Sequence, residues 1–333
     1  MNSCSTRRVF LIRSTIGGLS LLAARAARSQ APAGRLHVAA SQWPWTQFYR
    51  REGRDFLADL DAGLAEVARS GVQGYEPGAS GPEVVVRLAP LLKKHGLEMR
   101  SLYMNSLLHK ADEVEKSIAV ILATAEKARA AGARIIVINP SPIRWGGPED
   151  KDDAQLAVQA AALDRLGARL RDSGLTLAYH NHDAEMRNAA REFHHMMLAT
   201  EPRNVTLCLD AHWIYRGAGN SSVALFNIVK LYGPRVRELH LRQSVDRTWT
   251  EAFGDGEIDH RALAKRLASL GLKPHIVLEQ APEKGSSATL DAVESHRRGR
   301  AYAAEVFRAF IAKAVESSRN GGAWVEMNSG GTR

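Results

Sequence analysis

From Gly34 onward the chain repeats one pattern eight times: a short β-type run, then a longer helical run. The β-type runs are Leu36 to Gln42, Val72 to Glu76, Leu97 to Tyr103, Arg134 to Ile138, Leu175 to His180, Val205 to Asp210, Val236 to Leu241 and His275 to Glu279. Helical runs follow at about Phe56 to Ser70, Pro82 to His95, Asp112 to Ala131, Asp152 to Ser173, Asn188 to Thr200, Ser222 to Tyr232, Asp259 to Leu270 and Leu290 to Val315. Gly71, Gly96, Gly132, Gly174 and Gly271 stand where a helix closes in a left-handed cap, each just before the next strand. Strands alternating with helices of this length make βαβ units and a parallel sheet. Eight units predict α/β architecture as a single (β/α)8 barrel over residues 34–316. A doubly wound open sheet fits less well, because no G-x-G-x-x-G turn follows the first strand. Residues 317–333, rich in Gly, Ser and Asn, read as a frayed tail.

In such a barrel the chemistry gathers at the C-terminal ends of the strands. Here those ends carry Ser41-Gln42-Trp43, Glu76, Tyr103 with Asn105, Asn139, His180-Asn181-His182, Asp210, His240 with Arg242, and Glu279-Gln280. Residues two apart share a strand face. If Leu177, Tyr179, Leu207, Leu209, Leu239, Leu241, Ile276 and Leu278 face the helices, then His180, His182, Asp210, His240, Arg242 and Glu279 face inward. Imidazoles and carboxylates converging on one mouth suit a divalent metal such as Zn, Mn, Fe or Co, and Mg less well. Taken singly, each has a plainer explanation, such as Asp210 as the N-cap of the next helix. The shared register of all four strands favours a common site.

The formal net charge is +9, from 45 Lys and Arg against 36 Asp and Glu. Its location matters more than its size. Residues 1–31 hold five arginines and no acid, arranged as Ser5-Thr6-Arg7-Arg8-Val9-Phe10-Leu11-Ile12, an apolar stretch from Ser14 to Ala24, and a small-residue zone ending near Ala31. This is the layout of a twin-arginine-type export signal, which predicts a periplasmic or secreted protein with no membrane anchor once the signal is cleaved. Without it, 40 basic residues face 36 acidic ones, a net of +4. The remaining basic residues are scattered, so no nucleic-acid partner is expected. No run reaches the roughly 18 apolar residues that cross a bilayer. Of two cysteines, only Cys208 lies beyond the signal, excluding a disulfide scaffold; its place in the sixth strand suggests packing.

The strand ends also resemble a known family. Tyr179-His180-Asn181-His182-Asp183-Ala184-Glu185-Met186 resembles the "YHNHxxEF" signature of sugar isomerase/epimerase-like barrels, with Met186 in place of Phe. Those barrels belong to the xylose isomerase-like superfamily, with endonuclease IV, ketose epimerases and inosose dehydratase. Asp210-Ala211-His212-Trp213 is similar to its "DxxW" segment, and His240-Leu241-Arg242-Gln243 to its "HLKD" segment. Phe253 to Asp259 is similar to its "GxGxID" loop. Val277-Leu278-Glu279 resembles the segment whose acid closes the eighth strand. The resemblance implies one divalent ion (Mn, Zn, Co, Fe or Mg) held by His180, Asp210, His240 and Glu279, with His182 as rival to His180. His180 stands where the commonest pattern has Glu, and Gln243 where many relatives have Asp.

The implied activity is metal-dependent isomerisation or epimerisation of a sugar or keto-sugar through an enediolate. Glu279 is the candidate base, and His182 the candidate for returning the proton or polarising a leaving group. Glu76, Tyr103, Trp213, Arg242 and Gln243 are candidate substrate contacts, and Trp43 offers another flat apolar surface. The missing second Glu puts a plain two-carboxylate epimerisation in doubt. β-Elimination on a 3-keto-glycoside or inosose-like substrate is the alternative, and a non-catalytic periplasmic sugar-binding barrel is a second one. The resemblance leaves monomer and homodimer both open.

Overall fold

A computed structural model describes Met1 and residues 35–311. The signal-like segment 1–31 and the tail 317–333 lie outside the described residues, apart from Met1.

The eight parallel strands are β1 Val38–Ser41, β2 Gly74–Glu76, β3 Ser101–Ser106, β4 Ile135–Pro140, β5 Thr176–His180, β6 Val205–Asp210, β7 Val236–Leu241 and β8 His275–Leu278. Their order in the sheet is β2-β1-β8-β7-β6-β5-β4-β3. Single bridges from Gly74 to Glu98 and from Gly78 to Tyr103 join β2 to the β3 side. The backbone bonds Tyr75 N–H to Glu98 O and Ala79 N–H to Tyr103 O, both 2.9 Å, reinforce that seam. The expected closed (β/α)8 barrel is therefore formed.

The five cap glycines do what the sequence asks of them, with φ between 68° at Gly96 and 115° at Gly132. A side chain there would be strained. Between β1 and the expected first helix lies an additional helix, Gln42–Arg51. Pro44 falls in its first turn, where a missing N–H costs nothing, and Trp45, Phe48 and Tyr49 form its buried stripe. The first expected helix is shorter than read, Leu60–Arg69, and the last is Ala292–Val306. β3 is displaced by several residues from the expected span, because its ladder with β4 starts only at Ser101.

The alternation on β5–β8 is as read. Leu177, Tyr179, Leu207, Leu209, Leu239, Leu241, Ile276 and Leu278 belong to the main apolar core between strands and helices. Fully burying such a side chain contributes about 1.5–3 kcal/mol. Val137, Ala178 and Cys208 form a separate small cluster inside the barrel. Among the described residues no helix is long and apolar enough to cross a membrane.

Candidate active site

The inward positions of β5–β8 converge as follows. His180 pairs with Cys208 across β5 and β6, and Asp210 pairs with His240 across β6 and β7. His180, Asp210, His240 and Glu279 each offer a ligand atom, and these atoms all lie within 4.8 Å of one another. All four side chains are buried. Asp210 serves twice. Its Oδ1 caps helix Ala211–Gly217 by accepting from Trp213 N–H at 2.9 Å, while Oδ2 has no hydrogen-bond partner. His180 Nε2 is likewise buried and unpartnered. Buried polar atoms left bare are costly, and a divalent ion among these four side chains would satisfy both. The donor set, two imidazoles and two carboxylates, fits such an ion.

Arg242 forms the basic flank. It is fully buried, its guanidinium lies about 4.9 Å from the Trp213 ring and 4.8 Å from the Trp249 ring, and its Nη2 donates to Glu279 at 2.8 Å. The same nitrogen is 3.5 Å from Asp210 Oδ2. Burial alone would raise the Glu279 pKa, but the charges of Arg242 and His240 outweigh it and hold the group well below the usual carboxylate range. Asp210 goes the other way: burial lifts it to about 7, against the pull of Arg242. Burial would lower His240, yet its neighbours, the Cys208 thiol, Glu76 and Glu279 foremost, raise it well above the ordinary imidazole value. His180 is pushed well below that value by burial and by its cationic neighbours.

His182 lies just above His180, ring centroids 4.7 Å apart. Burial lowers its pKa to about 3, so it is neutral at pH 7, and its Nδ1 is unpartnered. Trp145 and Trp213 flank it at 5.1 and 5.6 Å. Tyr103 sets its ring edge-on to His180 at 5.3 Å, and its hydroxyl donates to Asn105 at 3.1 Å. The signature residues between them hold the frame. Glu185 accepts from His182 N–H at 2.7 Å and from Asn139 Nδ2 at 3.2 Å. Asn181 exchanges two bonds with the Asp210 backbone, each 3.4 Å.

Two expected substrate contacts are placed elsewhere. Gln243 is buried and its amide is spent inside the protein: Oε1 accepts from Ser244 and Ile258 N–H, and Nε2 donates to Ile258 O at 2.9 Å. It anchors the loop before helix His260–Ser269, where Gly256 comes so close that a Cβ would sit 2.4 Å from Ser244 O. Glu76 lies on the far side of His240 from Glu279. Its Oε1 is 3.0 Å from His240 Nε2 and its Oε2 accepts from Ser101 at 2.7 Å, so it forms part of the floor. Sequence reasoning missed Glu238, a buried carboxylate 3.2 Å from His240 Nε2. The signal was there: a charged residue two positions before His240, on the inward face of an apolar strand. It also missed Trp145, in the loop after β4, and Trp249, in the two-residue strand Thr248–Trp249 that pairs with Ser244–Val245; both segments are too short for any periodicity to orient them.

A family model described as xylose isomerase-like TIM barrel matches residues 64–302. An inosose dehydratase from Clostridium perfringens is 24% identical over 247 residues, covering 65% of this chain and 80% of that one. Among solved structures, an L-ribulose 3-epimerase superposes with TM-score 0.64 at 17% identity, covering 86% of this chain and all of that one. A xylose isomerase-like barrel from Mycobacterium smegmatis, determined in complex with magnesium, gives TM-score 0.64 at 15% identity, with 85% and 100% coverage. With its matched strands, its inward ligand group and its loop signatures, the chain belongs to the xylose isomerase-like TIM barrel family.

Proposed function

We propose that the chain is a metal-dependent enzyme of the sugar isomerase/epimerase kind that removes a carbon-bound proton next to the carbonyl of a sugar or keto-sugar. The observation that carries this reading is the buried group of His180, Asp210, His240 and Glu279 around two unpartnered polar atoms. A divalent ion held there would polarise the carbonyl and stabilise the negative charge that develops on its oxygen.

The chain's own residues supply the rest. Glu279 takes the proton; general-base help of this kind accelerates by about 10²–10⁴. Arg242 steadies the Glu279 carboxylate and, once a substrate oxygen competes, carries its own charge toward that oxygen. His182, neutral and with a free ring nitrogen, hydrogen-bonds a substrate hydroxyl. Trp213 and Tyr103 line the space as flat surfaces, and Trp145 guards the rim.

Two fates of the enediolate separate the readings. Reprotonation gives isomerisation or epimerisation. Expulsion of a β-substituent gives dehydration or cleavage of a keto-glycoside. The second is supported by one feature of the site and one of the relatives. His180 stands where a two-base epimerisation uses a second carboxylate, and the curated relatives that the chain resembles include inosose dehydratases. Incubating metal-loaded protein with free ketoses and with 3-keto-glycosides in deuterated water decides between them. Deuterium uptake without loss of the aglycone supports isomerisation, and release of aglycone or water supports elimination. No uptake and no release with any sugar of the panel would count against the catalytic reading and for a sugar-binding barrel.

We further propose export through the arginine pair Arg7-Arg8, supported by the charge and apolar pattern of residues 1–31. Replacing both arginines by Lys should leave the protein in the cytoplasm of fractionated cells. Unchanged export would refute the twin-arginine route.

A further inference from the structure

The two imidazoles present opposite nitrogens to the ligand group. His180 turns its unpartnered Nε2 toward it, whereas His240 turns Nδ1, which lies 2.7 Å from Glu279. An imidazole that binds a metal through one nitrogen must carry its proton on the other, and an acceptor behind the ring fixes that choice. The structure places Glu238 behind one ring and the Cys208 sulfur, itself against Glu238, behind the other. Glu238 Oε1 is 3.2 Å from His240 Nε2 and 3.6 Å from Cys208 Sγ, and Cys208 Sγ is 3.7 Å from His180 Nδ1.

The sheet register makes this row. His180 pairs with Cys208, and Cys208 with Glu238, across β5, β6 and β7. Asp210 and His240 form the next pair above. The second carboxylate oxygen of Glu238 accepts from His275 Nδ1 at 2.9 Å. Glu238, Cys208 and His240 are wholly buried, and an ionised carboxylate at that depth is sustained only by donors. Cys208 fits between the rings as a relay: its S–H donates to Glu238 while its sulfur accepts the Nδ1–H of His180.

We infer that Glu238 is the shared positioning residue of both imidazole ligands, holding His240 directly and His180 through the Cys208 thiol. The inference rests on the reading of the four-residue group as a metal site. It also gives Cys208 a task beyond packing, tied to the departure that placed His180 where Glu is commoner. Glu76, 3.0 Å from His240 Nε2, is an additional neighbour of one ring, whereas Glu238 reaches both, the second through Cys208.

The experiment compares wild type with Glu238→Gln, Cys208→Ala and Cys208→Ser by two readouts. Long-range proton–nitrogen NMR of the metal-free protein reads the His180 tautomer. The proton is expected on Nδ1 in wild type and Cys208→Ser, with that preference lost in Cys208→Ala. Cobalt titration of the same proteins should weaken about 10–100-fold in Glu238→Gln and less in Cys208→Ala, with Cys208→Ser close to wild type. No sulfur-to-cobalt charge-transfer band is expected. A wild-type His180 protonated on Nε2, or a tautomer unchanged in Cys208→Ala, overturns the inference. So does a charge-transfer band that vanishes in Cys208→Ser, since the thiol would then be a ligand. Failure of wild type to bind cobalt would sink the metal-site reading, while the NMR result would still decide the role of Cys208 and Glu238.

Discussion

The two faces of strands β5–β8 are made of alternate residues of the same short segments, yet they obey different rules. The outer face is apolar without interruption, from Leu177 and Tyr179 to Ile276 and Leu278, and sits in the main core. The inner face carries His180, Cys208, Asp210, Glu238, His240 and Glu279, all buried. Burying ionisable groups costs free energy, and even well-paired buried charges add little net stability. The outer face therefore supplies the stability, and the inner face uses it to hold chemistry that would not fold by itself. Substitutions on either face separate these two contributions.

The largest effect belongs to the inner face. Glu279→Gln should lower deuterium exchange into a competent sugar by about 10²–10⁴, with circular dichroism unchanged. His240→Ala and Asp210→Ala should lose bound metal on dialysis while remaining folded barrels. Full metal content in either variant would refute the ligand assignment.

On the outer face, Leu209→Ala should cost about 2–5 kcal/mol through the cavity it leaves. The change is read as a lower urea midpoint. Metal bound per folded molecule should not change, because Leu209 points away from the site its neighbour Asp210 builds. A variant that lost metal but kept its midpoint would mean that the two faces are coupled.

A third test uses a buried histidine remote from the ligand group. His260, at the start of helix His260–Ser269, is lowered to about 4 by burial. Its folded pKa lies below the unfolded value near 6.5, so the unfolded chain binds the proton first. The stability it contributes is complete above about pH 6.5 and is lost as pH falls toward 4. The stability gap between wild type and His260→Gln should therefore shrink by about 2 kcal/mol between pH 7 and pH 5. A gap independent of pH would show that His260 titrates normally.

The sequence made the outer face and the strand ends legible for a physical reason. Period-two alternation and left-handed glycine caps are local, and a parallel barrel leaves little freedom in where each strand points. Helix Gln42–Arg51 escaped because Pro44 and two tryptophans resemble a loop until its buried stripe of Trp45, Phe48 and Tyr49 is seen. Gln243 was misplaced because polarity at a strand end signals proximity to the mouth, not which atoms the amide meets. Its partners Ser244 and Ile258 come from the loop that folds back over it. Glu238 carries no strand-end signal, because it lies within β7. It lies one layer deeper, where its partners Cys208 and His275 come from two other strands.

The smallest effect is at the rim, where the contrast between faces ends. Trp145 is 54% exposed, in the loop after β4, and its ring meets His182 edge-on at 5.1 Å. It buries too little to stabilise the barrel, so Trp145→Ala should shift stability by less than about 0.5 kcal/mol. Its position beside His182 gives it a role only when a sugar is present. The KM for a competent sugar should rise about 3–10-fold, which is about 0.7–1.4 kcal/mol of lost ring contact, with kcat little changed. A fall in kcat with KM constant would instead mean that Trp145 orients His182 and acts on the chemistry through it. An unchanged KM would mean that the sugar does not reach Trp145.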